Sequence, residues 1–397
     1  MPAYSSIAAL LVSVFLLIAG NGLISTLVPL RATLDGFPAL AIGIMGSVYF
    51  FGMLTGTLAV PLVLRRTGHI RAFCAFVSLA LVATLVLPMA VAPLPWIVLR
   101  GIIGFAFAGL YAVIDGWVSA KSQNENRGRV YGFYQIVNFS GSALGQQMLT
   151  LADPHSYMLF SVIAGLFALA VLPLAFTRAE EPPVPAAMRL RLVWLARTAP
   201  VGAMAALVVG AANGSFWSLA PVYGLGIGMN PAALAVFLTA VVVGSALAVW
   251  PVGRMSDMYD RRKILAGCAM TGALVEFGLW NGSALPVAML TVLGFLLGCA
   301  TFVLYTLAVA HTNDRTGPAQ AIIVSSGLLF LYCLGAIIAP PIGSALMGKF
   351  GPSSLFAQNG ALHFMLAGFA LWRILLREKA ARVPREERVA EGGSGLP

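Results

Sequence analysis

The chain has 397 residues, of which 59% are hydrophobic and only 10% charged, with a net charge of +10 and a mean hydropathy of +0.91. A water-soluble domain carries about 25% charged residues and roughly half apolar ones, so this composition excludes a soluble fold and implies that the bilayer is the solvent. Its cysteines, Cys74, Cys268, Cys299 and Cys333, stand alone in apolar runs, which supports neither a disulfide framework nor a metal site.

Apolar runs predict twelve membrane-spanning helices, at roughly 6–30, 39–64, 72–92, 95–119, 129–151, 156–177, 199–224, 232–253, 263–283, 286–311, 318–346 and 354–376. The N-terminus, MPAYSSIAALL, lacks a basic n-region, and its apolar run outlasts a signal peptide, so it reads as the first span. The expected fold is an all-α membrane protein of two six-helix bundles, 1–177 and 199–376, joined by a cytoplasmic linker at 178–198 and followed by a charged cytoplasmic tail at 377–397. With the N-terminus inside, 21 of the 24 Lys and Arg fall on the inner side, which places both termini in the cytoplasm. The high pI is thus a topology signal, and nucleic acid is not an expected partner.

The two halves repeat. Asn21-Gly22 with Pro29 recurs as Asn213-Gly214 with Pro221, and the same offset of 192 carries Gly68 to Asp260 and Arg71 to Lys263. Such duplication builds a site at the repeat interface. Asn21 and Ser25 on the first span and Asn213 and Trp217 on the seventh occupy matching faces. Together with Tyr134, Asn138, Tyr305 and Tyr332 they are the expected substrate-binding residues. Helix discontinuities at Pro29 and Pro221 are expected to turn carbonyls toward the path. For the two Asn, the alternative is structural hydrogen bonding between helices. Amides and aromatics without a central charge favour a neutral or amphipathic organic solute over phosphate or sulfate.

The fourth span carries Arg100, Gly104, Ala108, Tyr111 and Asp115 on one face. An ionisable residue inside a span is costly and marks function, with snorkelling to headgroups as the alternative for Arg100. Asp115 is expected to pair with Arg127 or Arg129 in a gate, or to titrate. The fifth span puts Tyr134, Asn138, Gly141 and Gly145 on one face beside Gln135, Ser142 and Gln146, a face too polar for lipid. Glu276 and His363 are further intramembrane ionisables, expected to be packed residues more than proton carriers.

The sharpest string is Gly253-Arg-Met-Ser-Asp257-Met-Tyr-Asp260-Arg261-Arg262-Lys263, between spans eight and nine. An acid near one helix end and cations at the next helix start both oppose the helix dipoles, so these charges are expected to find partners across the loop or on another helix. Gly253 is expected to permit a close backbone approach.

This string resembles the cytoplasmic loop signature of the major facilitator superfamily, departing from it at Met258 and Asp260. The first-half counterpart, residues 61–71, is degenerate: Pro61 replaces the first Gly and Arg65 the Asp. With an N-R-G-R string at Asn126–Arg129 and L-G-Q at Leu144–Gln146, the chain resembles the bacterial YcaD-like branch. The resemblance implies a multi-pass protein of the bacterial inner membrane. It implies that Asp257 docks at the start of the fifth span, beside Arg127 and Arg129, as an asymmetric gate latch.

The expected function is secondary active transport of a small organic solute by alternating access, with proton-coupled efflux as the leading form. Proton-coupled uptake and lipid flipping are alternatives, and a substrate-sensing membrane protein is a reading of a different class. No nucleophile–base pair, metal cluster or carboxylate dyad points to an enzyme, and no G-x-x-x-x-G-K-[ST] string binds a nucleotide. No cofactor is expected. The expected partners are solute, protons and lipid, with the protein acting as a monomer.

Overall fold

In hydrocarbon the backbone has no water to bond, so it satisfies its own N–H and C=O groups within helices. The computed structural model describes residues 2–120, 127–176, 182, 190–282, 284–317 and 320–376, with side chains described except at 2–7 and 127–129. Within these residues run α1 (Pro2–Leu34), α2 (Ala39–Thr67), α3 (His69–Val86), α4 (Pro93–Ala120), α5 (Arg127–Gln147), α6 (Met158–Ala175) and the short α7 (Leu192–Thr198). There follow α8 (Pro200–Gly226), α9 (Pro231–Met258), α10 (Arg261–Asn281), α11 (Val287–Thr301), α12 (Leu304–Thr316), α13 (Ala321–Phe350) and α14 (Ser354–Leu375).

Among the described residues, ten segments are long and apolar enough to cross a membrane, counting α11 and α12 as one. Helices α5 and α14 are not among them, because they carry the polar residues that other helices need. On α14, Gln358 Nε2 donates to Ser215 Oγ at 3.0 Å and Asn359 Nδ2 donates to the Ala212 carbonyl at 3.1 Å. Polarity spent on neighbouring helices is not presented to lipid.

Two expectations about helix continuity are corrected. Helix α1 runs unbroken through Pro29, and α8 through Pro221. Packing on neighbouring helices holds a proline-containing span straight enough to continue. The break falls instead in the tenth span, where Phe302 and Val303 separate α11 from α12.

Within the first half, α1 packs on α5 and α6, α2 on α4, and α3 on α4 and α6. Within the second half, α8 packs on α12, α13 and α14, α9 on α11, and α10 on α11 and α14. The halves meet where α2 lies on α13 and α8, α5 on α9, and α1 on α8.

The tightest contacts repeat between the halves. A Cβ at Gly104 would collide with the Tyr49 carbonyl, and one at Gly298 with the Val241 carbonyl. A Cβ at Gly141 would press on the Phe15 carbonyl at 2.9 Å, and one at Gly335 would collide with the Leu207 carbonyl. Carbonyl partners Tyr49 and Val241, and Phe15 and Leu207, keep the offset of 192, whereas the glycines are 194 apart. The repeat therefore shifts by two residues between the third and fourth spans, while the close helix contacts are preserved.

Candidate solute cavity

Helices α1, α2, α4, α5, α8 and α13 enclose a cavity of about 290 Å³. Helix α1 contributes Ile18, Asn21, Gly22 and Ser25, whose spacings of three, one and three residues make one stripe. Helix α5 contributes Asn138, Ser142 and Gln146, spaced by four. Its other face, Gly141 and Gly145, lies under the α1 backbone, so these glycines serve helix packing. Aromatic rings close the remaining sides: Tyr49 and Phe50 from α2, Tyr111 from α4, Trp217 from α8 and Tyr332 from α13, with Met53 beside them. Among the described residues, no Asp, Glu, Lys or Arg lines the cavity.

The amides are held in place. Asn21 Nδ2 donates to the Tyr111 hydroxyl at 3.4 Å, while Asn21 Oδ1 is buried and has no hydrogen-bond partner among the described residues. The Thr26 hydroxyl donates to Gln146 Oε1. Proline has no N–H, so the carbonyls of Ser25 and Trp217, four residues before Pro29 and Pro221, lack their helical donor. The rings are braced likewise. Trp217 packs edge-on against Phe216 and Phe302, with ring centroids 5.1 and 5.5 Å away, so the break between α11 and α12 supports the cavity wall. Tyr332 meets Phe50 at 6.3 Å and Tyr305 at 5.2 Å.

Of the eight residues expected at the solute, Asn21, Ser25, Asn138, Trp217 and Tyr332 line the cavity. Three stand behind it. Asn213 is buried beside the Tyr332 hydroxyl, Tyr305 packs on the Tyr332 ring, and the Tyr134 hydroxyl donates to Asp115 Oδ1 at 3.3 Å. The α2 wall, Tyr49, Phe50 and Met53, was missed in the sequence, where aromatics in an apolar run look like core or lipid-facing residues.

One end of the cavity is shut across the two halves. Gln147 Nε2 donates to Thr239 Oγ1 at 2.7 Å and to the Ala235 carbonyl at 3.2 Å, and the Ser47 hydroxyl donates to the Ile337 carbonyl. These bonds lie toward the end that holds Arg31 and Lys349, away from the loops rich in Lys and Arg.

Arg100 is 6% exposed, and its guanidinium lies 4.5 Å from the Tyr49 ring centroid, so it does not snorkel to headgroups. Asp115 is held by Tyr134. The side chains of Arg127 and Arg129, its expected partners, lie outside the described residues.

The loop from α9 to α10 corrects one more expectation. The Asp257 side chain is 70% exposed and pairs with Arg261 at 2.9 Å within its own loop, while the side chains at the start of α5, its expected docking place, lie outside the described residues. Gly253 faces open space, where a Cβ would meet nothing within 4 Å, so it serves no close approach. The charges do find partners across the loop: Arg261 also bonds Asp314 at 2.6 Å and Ser256 at 2.7 Å. Asp260 caps α10 by accepting from the Arg262 N–H at 3.0 Å, and it pairs with the Arg262 guanidinium at 2.8 Å. Those hydrogen bonds hold the Asp260 carboxyl below the usual carboxylate range. Lys263 is exposed.

A family model described as Major Facilitator Superfamily matches residues 10–199 and 202–394. The chain belongs to the major facilitator superfamily. It is a multi-pass membrane transporter. Among its relatives is an uncharacterized MFS-type transporter of Yersinia pestis (strain Pestoides F), 28% identical over 92% of this chain and 95% of the relative. Another is the uncharacterized MFS-type transporter YcaD of Escherichia coli O7:K1, 25% identical over 97% of this chain and 99% of that one. The resemblance to the YcaD branch, first carried by short strings, thus extends over nearly the whole length.

Solved superfamily structures share the fold. The nucleoside transporter NupG superposes with a TM-score of 0.76 at 13% identity, covering 94% of this chain and 100% of that one. A bacterial homolog of the human lysosomal transporter Spinster, inward-facing and occupied, gives 0.76 at 13% identity over 96% and 100%. A D-xylose-proton symporter gives 0.72 at 14% identity over 93% and 97%.

Proposed function

We propose that this transporter moves a small, uncharged organic solute bearing an aromatic or amide group, by alternating access between the halves 1–177 and 199–376. The observation that carries this reading is a cavity of about 290 Å³ lined by amides, hydroxyls and aromatic rings and by no charged residue. That volume lies at the small end of ligand pockets, which run from about 300 to 1,000 Å³. Burying a charged solute there would leave its charge unpaired, at a cost of several kcal/mol. The amides of Asn21, Asn138 and Gln146 and the hydroxyls of Ser25 and Ser142 supply polar partners for a solute N–H or O–H, and the rings of Tyr49, Phe50 and Trp217 supply flat apolar surface.

Read from their charge bias, the Lys- and Arg-rich loops face the cytoplasm; on that reading the closed end is the outer one, which supports an inward-open conformation. In the outward-open state the basic ends would approach each other, and Asp257 would leave Arg261 for the N-terminal turn of α5.

A thermal-shift screen of the purified protein against neutral and charged metabolites tests the reading. A stabilising hit is expected among neutral, ring-bearing compounds, and Trp217→Ala should weaken its binding at least about tenfold, the loss of one well-packed aromatic anchor. Stabilisation by anions alone, unchanged in Trp217→Ala, would overturn it.

A further inference from the structure

Outside the cavity, two buried ionisable side chains of opposite kind meet. Glu276 Oε2 on α10 lies 2.7 Å from His363 Nδ1 on α14, and the side chains are 2% and 1% exposed. His363 Nε2 is buried and has no hydrogen-bond partner among the described residues. Gly360 lets α14 settle directly on this spot: a Cβ there would sit 3.4 Å from the Glu276 Cβ and 3.3 Å from the Phe277 ring.

We propose that Glu276 and His363 form a proton-binding site behind the solute cavity, and that its occupancy is transmitted to the cavity wall through α14. The proposal takes its meaning from the cavity as a solute site, but its test needs no solute.

With one proton between them the two side chains are neutral overall, as an ion pair or as acid and imidazole. Gain of a second proton from water leaves a net positive charge, and loss of the only one leaves a net negative charge. Either net charge is costly where water is excluded, so a change of occupancy requires the helices around the pair to move.

No other charge competes. Among the described residues, the electrostatic partner of Glu276 is His363 alone. The charges on α10 itself end at Lys263, thirteen residues and so about 20 Å along the helix. Arg373 on α14 is ten residues, about 15 Å, beyond His363. The helices packed on the pair carry Tyr223 (α8), Arg254 and Asp257 (α9), Cys299 (α11), and Tyr305, His311, Asp314 and Arg315 (α12). On α13 they carry Tyr332, Cys333 and Lys349, and Cys268 lies on α10. None of these is hydrogen-bonded to Glu276 or His363.

The route to the wall is short. One turn before His363, Asn359 bonds the Ala212 carbonyl on α8, and the adjacent Gln358 bonds Ser215. Ser215 is two residues from Trp217, and Ala212 precedes Asn213, which stands beside the wall residue Tyr332. A displacement of α14 from α10 therefore pulls on the helix that carries Trp217. A merely structural pair would hold α14 to α10 without a change of proton occupancy that the wall senses.

Two readouts on the purified, membrane-reconstituted chain test this across pH ~5 to ~8. Infrared difference spectra should show a protonated-carboxyl band that titrates, is lost in Glu276→Gln and persists in Asp115→Asn. Trp217 emission, taken as the difference between the parent and Trp217→Phe, should titrate over the same range and become flat in Glu276→Gln. If Glu276→Gln does not fold, His363→Asn serves, with a displaced band and an altered emission titration expected. A band that survives Glu276→Gln or is not displaced in His363→Asn, or Trp217 emission that titrates identically in parent and variant, overturns the proposal.

Discussion

Loops 61–71 and 253–263 occupy the same register, 192 residues apart, yet they turn the chain by different means. At the pivot of the first, Gly68 adopts φ 76° and ψ 171°, a conformation that L side chains rarely enter. Its successor, His69, is 1% exposed and packs with its ring centroid 6.1 Å from that of Trp117. At the pivot of the second, Asp260 sits at φ −60° and ψ 116° and caps α10. Its successor, Arg261, ties together Asp257, Asp314 and Ser256. The first loop is held by backbone geometry and burial, the second by charges. In the first loop Arg65, Arg66 and Arg71 are all exposed. A duplicated element keeps its shape while the forces that keep it there diverge. The charged version can change partners, as the proposed docking of Asp257 on α5 would require.

Four substitutions probe that contrast, each read as a change in unfolding free energy in micelles. The largest loss is expected for His69→Ala, about 3 kcal/mol, because it empties a buried site beside Trp117. A loss of 1 kcal/mol or less would mean that burial does not hold the first loop. Gly68→Ala should cost about 2 kcal/mol through its positive φ, whereas Asp260→Asn should cost less, since its backbone is in an ordinary region and Asn keeps the cap on α10. Equal costs would erase the distinction. Arg261→Ala should cost only about 1 kcal/mol, since its partners Asp257 and Asp314 are 70% and 34% exposed and screened by water. That cost should shrink in high salt.

The smallest effect is on acid stability. The Asp260 carboxyl is held below its ordinary value, so its contribution is present above pH ~4 and is lost as the pH falls through its folded-state value. The acid limb of a melting curve should therefore flatten in Asp260→Asn. Gly68 occupies the corresponding place in the first loop and contributes nothing there.

Much of this architecture was legible in the sequence because the bilayer imposes length and apolarity on every span. The Asn-Gly and Pro repeat led directly to Asn21, Ser25 and Trp217 in the cavity wall. The α2 wall was hidden because Tyr49 and Phe50 are apolar enough to pass for core residues, and only the fold turns them inward. Glu276 and His363 were visible singly, but 87 residues separate them, and no periodicity links α10 to α14. Pro29 and Pro221 misled about continuity: local chemistry says a helix weakens there, while packing decides whether it breaks.

The shift of the repeat from 192 to 194 residues has a practical consequence for anyone exchanging parts between the halves. A chimera built by counting along the chain would place the graft of α11 on α4 two positions out, a rotation of about 200° that points each contact glycine away from its carbonyl. Grafts aligned on Gly104 with Gly298, and on Gly141 with Gly335, keep those backbones in contact. The glycines, not the numbering, are the ruler by which the two copies can be interchanged.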